Sequence, residues 1–449
     1  MKILLLSPVI SAEKKTPLYL TIPQLALHIL AGLTAPEHSV TILEEEHRLV
    51  DLETDCDLVG ISCMTSNAKR AYFIADAFRA RGKKVVMGGI HPTILPDEAL
   101  QHADSVVIGE AENVWETLLE DAKHGRLQPK YHRPEPTLDR FIPLGTRRDC
   151  KKRPFNVTIC ETSRGCPYKC EFCAVTDFYG KKIRHHPVAN VIRDIEESGS
   201  RTIGFIDDNI VGDPRYSKEL FQALKPLKVD WGGQGSISFS RSPDLLKLAA
   251  GSGCRAFYCG LESVAPSTMK RFSKSMKDLA ALEEGIKRIK DHGIHFHASL
   301  IYGFDEDTTA VFPETLEFLY RNRISTATFH LLTPFPGTRL HEKLKAEGRI
   351  LTEDWSHYNW DTVVYQPRLI APEELLSGLI WMKTEFSKLT SVVARYLNGN
   401  LGHPLLHFGG NFGLRMEIKD HRKNMVTLKK DILNERGGLQ LTPPDIEPG

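Results

Sequence analysis

The chain reads as an α/β protein built from two successive βα series and a mainly helical C-terminal region. Three observations predict this. Short apolar, β-branched runs alternate with helical patterns over residues 1–125, the alternation resumes over 154–347, and helix dominates 348–449.

In the first series Lys2–Leu6, Ser39–Leu43, Leu58–Ser62, Lys84–Met87 and Ser105–Ile108 have strand length and composition. Ile22–Leu33 and Asn67–Arg81 carry helical spacing between them. Such alternation predicts a doubly wound, parallel sheet, whose ligands bind beyond the carboxyl ends of the strands. The loops there, Ser7–Thr16, Ser62–Asn67, Gly88–Thr93 and Gly109–Asn113, are rich in Gly, Ser and Thr and let backbone approach a large ligand closely. Residues 126–153, rich in Pro, Arg and Lys without a period, are expected to be a linker.

The second series has strand candidates at Phe155–Cys160, Thr202–Ile206, Asp230–Ser236, Ala256–Gly260, Ile294–Ile301 and Ala327–Leu332. Helical patterns separate them, among them Val188–Glu197, Ser217–Leu224, Pro243–Ala250, Asp278–His292 and Pro313–Tyr320. Six βα units are too few to close an eight-stranded barrel. In the last region Ile370–Tyr396 and the basic Asp420–Arg436 read as helical, and the Pro-rich Leu439–Gly449 as a disordered tail.

Composition narrows the function. The 449 residues carry 58 basic and 57 acidic side chains, a net charge of +1, so no global field points to nucleic acid or an anionic membrane. No run approaches the roughly 18–20 apolar residues of a membrane span, and the opening Met-Lys-Ile-Leu-Leu-Leu-Ser-Pro is too short for a signal peptide. A soluble, cytoplasmic protein is expected. Nine cysteines fit a reducing compartment, for Cys56, Cys63, Cys150, Cys160, Cys254 and Cys259 show no disulfide-like pattern.

The other three, Cys166, Cys170 and Cys173, form a C-x3-C-x2-C run in Arg164-Gly-Cys-Pro-Tyr-Lys-Cys-Glu-Phe-Cys-Ala174. Three thiolates can hold three corners of a cubane iron–sulfur cluster and leave one iron open for chemistry. A zinc knuckle or chance cysteines are the alternatives. Zinc would want a fourth Cys or His at matching spacing, and none follows.

With an aromatic just before its last thiol, this run resembles the signature of the radical S-adenosylmethionine (SAM) superfamily. The resemblance implies a 4Fe–4S cluster on Cys166, Cys170 and Cys173, SAM chelated at the open iron, and reductive cleavage to a 5′-deoxyadenosyl radical. It also implies an open, partial (β/α)6 barrel, Phe172 near the adenine, and an external electron donor such as flavodoxin or ferredoxin. Asp207 and Asp208, at the end of the second barrel strand, stand where relatives meet the methionine ammonium; a strand-end turn with a capping acid explains them too. Glu262 resembles the acid that approaches SAM through its ribose or amino group, and it could equally cap the next helix. Leu300–Thr308 resembles the adenine-binding segment, with Ile301 and Gly303 kept and Asp307 in place of its final glycine.

Gly88-Gly-Ile-His-Pro-Thr93 and Val107-Ile-Gly-Glu-Ala-Glu112 resemble the cobalamin-binding class of the same superfamily, whose first domain is Rossmann-like. On that resemblance Ser62, Thr65, Gly88, Gly89, His91, Gly109 and Glu110 are candidate cobalamin contacts. The Asp-x-His-x-x-Gly motif that supplies a lower axial histidine in many cobalamin proteins is absent. Trp231, Gln234, Tyr258, His295, His297, Tyr302 and His330 lie on barrel strands and could touch a substrate, though each could as readily be a packed core residue.

The function expected is a cobalamin-dependent radical methyltransferase acting on an unactivated carbon of a hydrophobic small molecule, lipid or natural product. A cobalamin-binding cyclase or oxidase without methyl transfer is the alternative. A methylthiotransferase would need three N-terminal cysteines, which Cys56 and Cys63 do not supply, and a non-catalytic iron–sulfur protein would form no 5′-deoxyadenosine.

Overall fold

The computed structural model describes residues 1–12, 23–144, 157–180, 182–272, 278–398 and 403–433. Cys150, part of the loop Ser7–Thr16, the end of the linker, the start of the Phe155 strand, Asn434–Arg436 and the tail Leu439–Gly449 lie outside them. The chain forms two compact units. The first comprises Met1–Lys169, Cys173–Asp208 and Pro226–Val229; the second holds Cys170–Phe172, Asn209–Lys225 and the chain from Asp230 on.

The first unit is built on six strands, β1 (Lys2–Ser7), β2 (Ser39–Glu44), β3 (Leu58–Ser62), β4 (Lys84–Gly88), β5 (Ser105–Ile108) and β6 (Lys130–His132). They pair in parallel in the order β2-β1-β3-β4-β5-β6. Ile3–Leu6 and Leu58–Ile61 are buried throughout, as parallel strands covered on both faces must be. Ile3, Leu5, Leu27, Leu58, Val86, Val107, Trp115 and Leu118 make one core, and the Trp115 indole N–H donates to Thr34 Oγ1 at 2.9 Å. The order reverses between β1 and β3, the switch point beside which ligands bind in such sheets. β6 lies inside the stretch read as linker.

The second βα series supplies β7 (Val157–Cys160), β10 (Thr202–Phe205), β11 (Asp230–Gly235), β12 (Cys254–Glu262), β13 (His295–Tyr302) and β14 (Thr326–Leu331). β7 pairs with β10 in the first unit, and β11 to β14 pair in chain order in the second, all in parallel. Between β7 and β10 a small antiparallel ribbon of β8 (Ser163–Arg164) and β9 (Arg184–His185) was not legible in the periodicity. The C-terminal region is helical at Pro372–Phe386, Leu389–Asn398 and Pro404–Thr427. No helix among the described residues is long and apolar enough to cross a membrane.

Candidate functional site

Gly165 turns the chain from β8 into Cys166 at φ 93, and a Cβ there would lie 3.0 Å from the Lys182 carbonyl oxygen. Only glycine takes that turn without strain. The backbone from Gly165 to Ala174 is irregular, and Cys166, Cys170 and Cys173 are half-buried and outside any disulfide. The loop is tied down in each unit. Gly165 N–H donates to Asp208 Oδ2 at 3.1 Å, and Leu340 N–H donates to the Glu171 carbonyl at 2.9 Å. The Phe172 ring meets Phe304 edge-on at 6.1 Å and packs, with Ile301, on the Phe304, Leu332, Leu340 and Tyr365 cluster. Three thiols on one pinned irregular loop are the donor set a cubane cluster takes, although among the described residues no three ligating side chains are gathered as a metal site.

The two adjacent aspartates separate in role. Asp207 is buried and accepts from Thr162 N–H (3.1 Å), Thr162 Oγ1 (2.6 Å) and Ser163 Oγ (2.6 Å), so its oxygens hold the approach to the cysteine loop. These local bonds tie Asp207 to Thr162 and Ser163, and the methionine contact expected of it stays a proposal. Asp208 is only half-buried and is engaged through Oδ2, which leaves it the better candidate for an ammonium. Burial pushes both carboxyls up to about 6, against the hydrogen bonds that lower them.

In the second unit Glu262 ends β12 with φ 64, and the β12–β13 register shifts between Gly260 and Glu262. A left-handed glutamate costs about 1–2 kcal/mol, which makes the position a candidate for function rather than for capping alone. Gly303, at φ 107, is enclosed: a Cβ would lie 2.5 Å from Tyr365 Oη and 2.9 Å from Leu375. Its N–H donates to Asp307 Oδ2 at 2.9 Å, and the Tyr365 hydroxyl donates to its carbonyl. Asp307, which replaces the glycine of the resembled segment, also accepts from Phe304 N–H and Thr268 Oγ1, so it shapes the strand end that carries Ile301.

Within the first unit the strand ends enclose a cavity of about 470 Å³ lined by Ser62, Gly88, Gly89, Gly109, Glu110 and Arg164, among others. Gly89, at φ 103, lies so close to β3 that a Cβ would stand 2.6 Å from the Cys63 carbonyl oxygen, whereas a Cβ on Gly109 would meet nothing within 4 Å. Bare backbone facing open space fits the close approach of a large cofactor. Thr65 and His91 do not line this cavity. His91 is wholly buried, with Nε2 at 3.0 Å from Tyr72 Oη and 3.3 Å from Glu98 Oε1.

Glu110 lines the cavity and is also held by two cations. Its carboxylate pairs with both Arg164 and Arg184. Arg164 also meets Glu112 at 2.7 Å and Glu161 at 2.9 Å, and Glu161 meets His186 at 3.2 Å. Burial opposes the charge on Arg164, but Glu161, Glu112 and Glu110 outweigh it and hold its pKa above the ordinary value. Arg164 stands two residues before Cys166, so one side chain belongs to both the cavity wall and the approach to the cysteine loop. The charges of Glu110 and Arg164 were visible in the sequence; their pairing across 54 positions was not.

The radical SAM superfamily model matches residues 160–319 and the B12 binding domain model matches residues 18–119. Bacteriochlorophyllide d C-12(1)-methyltransferase of Chlorobaculum tepidum is 34% identical over 83% of this chain and 84% of its own length. Bacteriochlorophyllide d C-8(2)-methyltransferase of the same organism is 34% identical over 75% of this chain and 79% of its own. The structure of the radical SAM methyltransferase TsrM from Kitasatospora setae superposes with a TM-score of 0.67 at 15% identity, covering 96% of this chain and 99% of that one, a likeness of fold. The chain belongs to the radical SAM superfamily, in its cobalamin-dependent class. It is a C-methyltransferase whose cofactors are a 4Fe–4S cluster, SAM and cobalamin.

Proposed function

We propose that the protein methylates an unactivated carbon on the periphery of a tetrapyrrole. The observation that carries the reading is the shared wall: Arg164 lines the glycine-edged cavity two residues before the first cysteine of the cluster motif. In this reading Cys166, Cys170 and Cys173 would hold the cluster, Glu262, Ile301 and Phe172 would meet SAM in the second unit, and Ser62, Gly88, Gly89 and Gly109 would line the cobalamin site in the first. Bound there, these cofactors supply hydrogen abstraction and a methyl group.

The chain's own residues orient. Thr162, Ser163 and Gly165 donate to Asp207 and Asp208 and so fix the backbone entering the cysteine loop. Arg164 and Arg184 hold the Glu110 loop against that backbone. A tetrapyrrole substrate is supported by the two bacteriochlorophyllide d methyltransferases that match along most of their length.

The test is anaerobic turnover of reconstituted enzyme with reductant, SAM and bacteriochlorophyllide d, followed by mass spectrometry. A product heavier by one methylene, with S-adenosylhomocysteine and 5′-deoxyadenosine released, is expected. Turnover on a membrane lipid extract but not on the pigment would move the substrate to the lipid class.

A further inference from the structure

On β12, β13 and β14 the side chains alternate in exposure, as a sheet with one covered face requires. Phe257, Phe296, Ala298, Phe329 and Leu331 are buried on one face. Tyr258, Glu262, His297, Ile301, Thr328 and His330 are half-buried on the other. The face with Glu262 and Ile301 is the SAM side of the proposed site, and His330 is the register partner of Ile301 on the neighbouring strand.

The polar rings of this face are not equivalent. His297 stacks on Tyr258 at 4.9 Å and bonds Thr326 Oγ1 through Nδ1 at 2.9 Å. Tyr258 Oη bonds Thr328 Oγ1 at 3.0 Å, and His295 Nε2 bonds Thr326 Oγ1 at 2.8 Å. Those three are occupied within the fold. His330 has no hydrogen-bond partner among the described residues; its one ring neighbour is Trp360, 6.4 Å away at 61°. Burial and the nearby Lys383 charge lower its pKa to about 4, partly offset by Asp361, so at neutral pH the imidazole carries a lone pair and no charge.

Trp360 is unusual in its own right. It is 46% exposed and held at φ 63, with its carbonyl accepting from Leu331 N–H at 2.8 Å and its indole 5.3 Å from Phe335. A left-handed, exposed tryptophan costs strain and gains little from burial, a combination expected where an apolar ligand is met.

We propose that His330 is the axial ligand that seats the central metal of a metallotetrapyrrole substrate, with Trp360 beside it as an apolar contact for the macrocycle. This rests on the tetrapyrrole reading above and deepens it. Four in-plane nitrogens leave the metal an axial position. A neutral imidazole nitrogen donates its lone pair there and displaces a solvent ligand, with no change of oxidation state. The consequence is specificity: the enzyme distinguishes the metal-bearing pigment from its metal-free form, and His330 sets the height of the macrocycle beside Ile301.

The experiment titrates the reconstituted enzyme with bacteriochlorophyllide d and with its demetallated pheophorbide, reading absorption band shifts and Kd for wild type, His330→Gln and His330→Gly. Wild type is expected to bind the metal form at least roughly tenfold more tightly, with the band shift of axial ligation. His330→Gln should lose both the shift and the preference, and imidazole added to His330→Gly should restore the shift. Cluster absorbance equal to wild type checks that the variants fold. Equal binding of both pigments by wild type, an unchanged shift in the variants, or an equal loss for both pigments on substitution would overturn the inference while leaving tetrapyrrole methylation standing. Failure of wild type to bind or methylate either pigment overturns both.

Discussion

Replacing Arg164 with Gln removes the cation at the centre of the cavity wall. Its side chain is 6% exposed and faces Glu110 (3%), Glu112 (15%) and Glu161 (12%). Breaking a buried pair by removing one partner costs about 3–5 kcal/mol, because the remaining charge stays buried without compensation. Arg184 still pairs Glu110 in the variant, so a loss near the lower end, about 3 kcal/mol, is expected rather than a multiple for three carboxylates. Arg164→Lys keeps the charge but cannot present a planar fork to several carboxylates, and should fall between the two. Peptide-resolved hydrogen exchange reads the effect: amides of Val107–Asn113 should open roughly a hundredfold more readily, while β1 is unchanged. A loss below about 1 kcal/mol, the value of an exposed pair, would refute the idea that this charge cluster joins the Glu110 loop to the cysteine loop.

Other consequences follow from single positions. Glu262→Gly should relieve the strain at φ 64 and raise thermal stability by about 1 kcal/mol while weakening SAM binding in equilibrium dialysis; unchanged SAM affinity contradicts its role. Gly303→Ala places a Cβ 2.5 Å from Tyr365 Oη at a left-handed φ and should cost about 2–4 kcal/mol in thermal unfolding, so a neutral result would mean the Tyr365 contact yields freely. Asp207 has its folded pKa raised from 3.8 to about 6, so between about pH 4 and 6 the folded chain binds more protons than the unfolded one. Its contribution to stability is therefore present below about pH 4 and lost as pH rises through about 6. The difference between wild type and Asp207→Asn in urea unfolding should decline over that window, and a rising difference would reverse the assignment.

Much of the fold was legible because burial on both faces leaves continuous apolar runs, as in Lys2–Leu6 and Leu58–Ser62. β6 was not, since Lys130-Tyr131-His132 buries only the tyrosine. The helix read over Ile370–Tyr396 is two, because Arg395 turns back to the Phe386 carbonyl at 2.6 Å and stabilises a break near Ser387. The helix expected from Asp420 begins at Pro404, its first half disguised by Gly409, Gly410 and Gly413 and by polar His407 and Asn411 facing inward. At the site, the cysteine spacing is a local signal and was readable. The fate of Asp207, Glu110 and His91 depended on partners remote in sequence or on how a turn packs: Thr162, 45 positions from Asp207, Arg164, and Tyr72. No window of sequence contains such pairings.

The most direct test of the central claim, that the strand-end cavity holds cobalamin beside the cluster loop, is a hydrogen-exchange footprint of the anaerobic protein with and without cobalamin. Protection is predicted at Ser62, Gly88–Gly89, Gly109–Ala111 and the Arg164–Cys166 backbone, with no change at the Tyr72–His91 contact. Cobalamin that binds while leaving Gly88–Gly89 and Gly109–Ala111 unprotected would contradict the account.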